Sequence, residues 1–304
     1  MGFCLALRQE FQLKKFGFCG VKAERFCTFQ WRLPVSVYLV YRVVLMVYAV
    51  FWLGYTNSIH GTPPQAWGAY LTNWTYIMLN IYLVSHCLAA LYHHTHCTLR
   101  RRNYGQYCCS RPSSHEHNRI MEDLGEHEQT GYEDIPGSVA GREGGGGESG
   151  EVQVVSPLPR PPWYICWVWI SFNVISSAAL MVTIVFFAFL FRQLSDYPNI
   201  SLENLQVHLL NSVIVFIEHL VSAVPFRLLH VIYPFAYGVI YMAFSVIYWA
   251  GDHNRVMYPN ILDWNYPGST VLYVLLIGFI LIPLLHFFFF LLHKLKVLIN
   301  KRWC

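Results

Sequence analysis

WYICWVWISFNVISSAALMVTIVFFAFLF, residues 163–191, decides the fold class. The stretch contains no charged residue and exceeds the roughly 20 apolar residues that a helix needs to cross a bilayer. Its apolar character is continuous, whereas a barrel strand would alternate. Working outward, comparable stretches run over Pro34–Tyr55, Trp67–Tyr92, Val207–Val224, Leu228–Trp249 and Thr270–Leu292. Together with Trp163–Phe191 they predict an all-α, polytopic membrane helix bundle of about six transmembrane helices. Val207–Val224 is the weakest of the six, being short and carrying His208, Asn211, Glu218 and His219. Five crossings with one re-entrant segment is the alternative.

Composition agrees. Hydrophobic residues make up 55% of the 304, aromatics 17% and charged residues 12%, about half the charge of an ordinary soluble domain. That deficit argues against a soluble enzyme or a disordered regulator. The net charge of +4 gives no nucleic-acid footprint, because the basic residues flank apolar runs and do not share one polar face. With the N-terminus inside, the cytosolic segments hold 18 of the 21 basic residues, among them Lys14, Lys15, Arg100, Arg101, Arg102, Arg227, Lys294, Lys296, Lys301 and Arg302. Arg192 and Arg255 fall in outer loops and Arg42 within the first span. Since cytosolic loops retain Lys and Arg, both termini are expected in the cytosol.

The resulting organisation is a basic cytosolic segment (1–33), two spans (34–93), a cytosolic loop (94–161), four spans (162–292) and a basic tail (293–304). Residues 1–33 lack the apolar core of a cleavable signal peptide. Within them EFQLKKFGF (10–18) suits either an interfacial helix on an anionic leaflet or a solvated basic tail. The loop, with GREGGGGESG at 141–150, lacks the apolar content for a core and reads as disordered. None of the nine cysteines lies in an expected outer loop, so no extracellular disulfide is expected. Cys97, Cys108 and Cys109 beside arginines fit either S-palmitoylation or plain reduced thiols.

Ionisable groups inside spans are costly and raise functional questions. They are Arg42, His86, His208, Glu218, His219, His230 and His286, with Thr72, Asn73, Asn80 and Asn211 as polar neighbours. Taken singly, each reads as a helix–helix hydrogen bond. Thr72 and His208 stand out because both lie near the outer ends of their spans. A hydroxyl and an imidazole are the minimum set for nucleophilic acyl transfer, although residue spacing alone does not single out this pair. Glu218, ten residues beyond His208, is about 15 Å away along the helix and is expected to pair with Arg42 or a deep histidine. HHTHC (93–97) has zinc-ligand atoms, but successive helix positions cannot face one ion, so no metal is expected. Asn199-Ile200-Ser201 is a glycosylation sequon on the expected outer side. No Walker A, GxSxG, HExxH or dinucleotide motif occurs, and no cofactor is expected. Membrane lipids are the expected partners, with no nucleic acid; protein partners stay open.

EFQLKKFGF, Phe29-Gln30-Trp31, YLTNW (70–74), YPFAYGVIYMAFSVIYWAG (233–251) and MYPNILDW (257–264) resemble the rolling stone proteins. Those are multi-pass membrane proteins, the fly member being associated with myoblast fusion. More remotely the chain is similar to the androgen-induced family of intramembrane threonine hydrolases, which cleave fatty acid esters of hydroxy fatty acids with a Thr and a His. Tyr70-Leu71-Thr72 matches the context of that family's nucleophile, and His208, ten residues before Glu218, matches its base. The resemblance therefore implies Thr72 and His208 as catalytic residues acting on a lipid ester. Asn73, Trp74 and Asn211 depart from the hydrolase pattern. The alternative implied by the rolling stone likeness is a non-catalytic protein acting through contacts in cell fusion.

Overall fold

The structure is a computed structural model and describes residues 10–59, 67–104, 160–193 and 198–303. Most of the expected loop at 94–161, with Cys108, Cys109 and the glycine run, lies outside the described residues. The helices are α1 (Val35–Ile59), α2 (Leu71–Tyr104), α3 (Trp163–Val185), α4 (Leu202–Leu205), α5 (Asn211–Val221), α6 (Ile232–Gly251), α7 (Pro267–Leu276) and α8 (Ile282–Trp303). π-helical turns over Gln206–Leu210 and Ile277–Leu281 join α4 to α5 and α7 to α8, and a third extends α3 over Phe186–Leu190. Six rods are long and apolar enough to cross a membrane. The protein is an integral membrane protein, and among the described residues the only β contacts are two isolated bridges.

Helix ends follow local chemistry and shift several expected boundaries. The second span starts at Leu71, four residues later than expected, because Trp67–Tyr70 turns instead of coiling. The fourth starts at Leu202, five residues earlier, because the Ser201 hydroxyl caps it by accepting the Asn204 N–H at 3.2 Å. That makes the weakest expected span a full-length one. It ends at Val221, where Ser222 becomes extended and bridges to Phe29. α2 runs on to Tyr104, eleven residues into the expected loop, and α8 runs through most of the expected tail, burying His293, Lys296 and Asn300.

α3 is the central helix. Its Ser171, Ser176, Ser177, Ala178 and Ala179 are buried, and such small side chains let neighbouring backbones approach without a hydrophobic driving force. α1 is peripheral, with Val37, Val40, Val44, Val47 and Phe51 turned outward as suits contact with lipid. At the end carrying both termini, residues 10–30 fold beneath the bundle and not away from it. Phe26 and Cys27 are fully buried. Phe18 packs on Trp169, His230 and Tyr233, and Arg227 donates to the Gly17 and Cys19 carbonyls. The opposite, far end is closed by the linker 252–266. Its turn at Asn260 has φ 69°, a left-handed conformation that Asn tolerates, and the Leu262 N–H returns to the Tyr258 carbonyl at 2.8 Å.

Candidate functional site

A cavity of about 400 Å³ opens at the far end of the bundle, between α3, α6 and the α7–π–α8 rod. Its lining is almost wholly apolar, with five hydroxyl-bearing residues: Thr72, Tyr237, Tyr241, Tyr258 and Tyr273. The volume suits a small-molecule ligand, and the lining suits an alkyl chain.

Thr72 is the second residue of α2. Sequence reading placed it about a turn deeper, because Trp67 looked like the start of the span. A helix's first N–H groups have no partner within the helix, and here a tyrosine supplies one. The Tyr241 hydroxyl accepts the Leu71 N–H at 3.1 Å and donates to the Ala69 carbonyl at 2.9 Å. Tyr258, from the linker, lies beside Leu71 and Thr72 at the cavity wall. Burial raises the Tyr258 phenol above its ordinary value, so it stays protonated. The tyrosines were missed in the sequence because such residues suit membrane interfaces generally. The signal available was the four-residue spacing Tyr233, Tyr237, Tyr241, which puts hydroxyls on one helix face.

His208 lies in the π-helical turn Gln206–Leu210. It is buried, its Nδ1 has no hydrogen-bond partner, and its ring stacks on Phe186 at 3.5 Å between centroids, 7° from parallel. Phe186 is part of the cavity wall and His208 is not. Thr72 and His208 are therefore near one cavity without a hydrogen bond between them. Counting from Leu202, His208 lies about six residues, or ~9 Å, into its rod; the shared shallow depth read from the sequence does not hold at the level of helix ends. Three π-helical turns, a feature frequent at functional sites, occur around this region, and two of them, Phe186–Leu190 and Ile277–Leu281, contribute to the cavity wall. The two amides nearest the pair in sequence each spend one N–H on the backbone: Asn73 Nδ2 donates to the Trp67 carbonyl at 2.7 Å, and Asn211 Nδ2 to the Val207 carbonyl at 2.8 Å.

The remaining buried charges form a separate network. Arg42 Nη1 meets Glu218 Oε2 at 2.6 Å, the Tyr41 hydroxyl donates to Oε1 at 2.5 Å and the Tyr82 hydroxyl to Oε2 at 2.7 Å. His86 Nδ1 lies 2.8 Å from the Tyr82 oxygen. Both routes considered for Glu218 are thus realised, Arg42 directly and His86 through Tyr82. The Arg42 guanidinium lies near the rings of Tyr38 and Tyr41, which partly offsets its two unpaired N–H groups. Towards the terminal end, Ser176 Oγ and His219 Nε2 are 2.7 Å apart. Lys296 donates to the carbonyls of His219 and Ser222, both at 2.7 Å, closing the C-terminal end of α5. These groups hold helices together. His93 and His94 diverge, His94 meeting the Cys27 carbonyl at 2.7 Å and His93 facing Cys97.

The sequence profile of the rolling stone proteins matches residues 163–304. The Drosophila melanogaster protein rolling stone is 32% identical over 141 residues, 44% of this chain and 50% of the fly protein. Residues 163–304 belong to the rolling stone family. The chain spans about half the length of this curated relative. The rolling stone portion holds Phe186, His208, Tyr237, Tyr241 and Tyr258, whereas Thr72 and residues 10–31 lie outside the matched stretch. The match is thus narrower than the likeness read from separated segments. No solved structure matches the chain significantly.

Proposed function

We propose that this rolling stone-type membrane protein binds a long-chain lipid ester in the far-end cavity and hydrolyses it with Thr72 and His208. The observation that carries the reading is Thr72, among the described residues the one aliphatic hydroxyl residue on the wall of an almost wholly apolar cavity inside a membrane protein. With both termini in the cytosol, as the distribution of Lys and Arg implies, the cavity sits in the outer leaflet and an acyl chain enters sideways between the helices.

In this reaction His208 takes the Thr72 hydroxyl proton as the oxygen attacks the ester carbonyl. The carbon–oxygen bond to the leaving alcohol then breaks, and that alcohol takes the proton back. Water, deprotonated by His208, attacks the acyl-threonine, releasing the fatty acid and restoring Thr72. Phe186 separates the imidazole from the cavity, so its ring must turn aside first. The π-helical turn beginning at Phe186 is a local irregularity at which such an adjustment is small. Resemblance to the intramembrane threonine hydrolases supports fatty acid esters of hydroxy fatty acids as the substrate class.

A second reading is a non-catalytic protein acting through contacts, in cell fusion by the rolling stone likeness. The separation of Thr72 from His208 favours it. Hydrolysis of a branched long-chain fatty ester by membranes expressing wild type, Thr72→Ser and Thr72→Ala at matched levels tests the two. The catalytic reading expects activity retained in part by serine and abolished by alanine. Activity unchanged in Thr72→Ala removes the assignment.

A further inference from the structure

Four tyrosines line the cavity: Tyr273 is half-buried on α7, and Tyr237, Tyr241 and Tyr258 lie beside the first turns of α2. Tyr241 holds the Leu71 N–H and the Ala69 carbonyl, and Tyr258 lies beside Leu71 and Thr72. The third, Tyr237 Oη, is buried and has no hydrogen-bond partner. It faces Thr75, whose hydroxyl is likewise without one, and the two do not meet in hydrogen-bond geometry. A buried donor left unpaired is unfavourable.

The position of the free hydroxyl fixes what it can meet. Tyr237 precedes Tyr241 by four residues, one helical turn or about 6 Å along α6. Tyr241 is anchored at Leu71, so the Tyr237 hydroxyl lies one turn further in, facing Thr75. Thr75 stands three residues beyond Thr72 on the same face of α2. The Tyr237 ring lines the cavity while its hydroxyl is buried against Thr75, so a turn of that hydroxyl towards the cavity would bring it to the carbonyl oxygen of an ester at Thr72, whose alkyl arms lie along the apolar wall.

We infer that the Tyr237 hydroxyl is the donor that holds the carbonyl oxygen of an acyl-ester lipid in the cavity. The inference rests on the lipid-ester reading above and deepens it. In hydrolysis the same hydroxyl would stabilise the oxygen as it becomes an oxyanion, but its hold on the carbonyl exists at the binding step.

The test compares two photoactivatable, clickable lipid probes of equal length in membranes of the full chain, one an ester and one the ether that lacks only the carbonyl. Wild type is expected to be labelled about tenfold more efficiently by the ester, the worth of one well-placed hydrogen bond. Tyr237→Phe should remove that advantage by lowering ester labelling while ether labelling stays unchanged, the ether arm doubling as the control for folding. An ester preference that survives Tyr237→Phe overturns the inference. So do an equal fall for both probes and a wild type that discriminates neither. If wild type prefers the ester but hydrolyses none, the proposed chemistry fails while the carbonyl site stands.

Discussion

Glu218 gathers Arg42, Tyr41 and Tyr82 around one carboxylate, and the price of disturbing it is asymmetric. Removing one charge strands the other in an apolar interior, at a cost of about 3–5 kcal/mol. Arg42→Met should therefore lower the thermal stability of the detergent-solubilised protein sharply, and adding Glu218→Leu to Arg42→Met should recover much of the loss. Equal stability of the single and double variants would contradict the pairing. At Tyr258 the pH dependence has a definite sign. Burial raises its pKa, so its stabilising contribution is fully present below the ordinary tyrosine value near 10 and is lost only as pH rises beyond it. Stability measured from pH 7 to 9 should show no fall that Tyr258→Phe abolishes. These residues differ in how plainly the sequence announced them. A lone Arg and a lone Glu inside apolar runs have few partners to choose from, so their pairing was legible. The tyrosine hydroxyls were not, because ring and hydroxyl alike are at home near a membrane surface.

Among the elements, the N-terminal segment takes a role that EFQLKKFGF did not suggest, docking beneath the bundle. Phe11, Leu13 and Phe16 are exposed, while Phe18 and Phe26 reach inward to Trp169. Phe26→Ala should destabilise the protein by about 3–5 kcal/mol, as for a buried aromatic in a core. Leu13→Ser should stay within about 0.5 kcal/mol. Comparable losses in the two variants, read by thermal unfolding, would mean that the segment is not docked. The docking was illegible because it depends on Arg227 and the extended Ser222–Phe226 stretch, more than 190 positions away along the chain. The six spans were legible from length and lack of charge alone. Their ends were not, because caps such as Ser201 and tyrosines donated from other helices decide where a helix starts. A few residues of error at Trp67 and Val207 were enough to give Thr72 and His208 a common depth that the helices do not give them.

For the whole molecule, the lipid reading requires the cavity to face the outer leaflet. Single cysteines at the exposed positions Asn254 and Lys301, in a background without native cysteines, should differ in reaction with a membrane-impermeant thiol reagent. Asn254→Cys is expected to be labelled in sealed cells and Lys301→Cys only after permeabilisation; the reverse pattern would place the cavity in the inner leaflet. The central claim is chemical, that Thr72 is a nucleophile meeting lipid within the bilayer. Peptide mass spectrometry after brief exposure to a long-chain activated ester tests it most directly. The account predicts an acyl group on Thr72 in the wild type and none on the corresponding peptide of Thr72→Ala. Ester turnover with Thr72 unmodified, or acyl transfer to another residue that persists in Thr72→Ala, would contradict it.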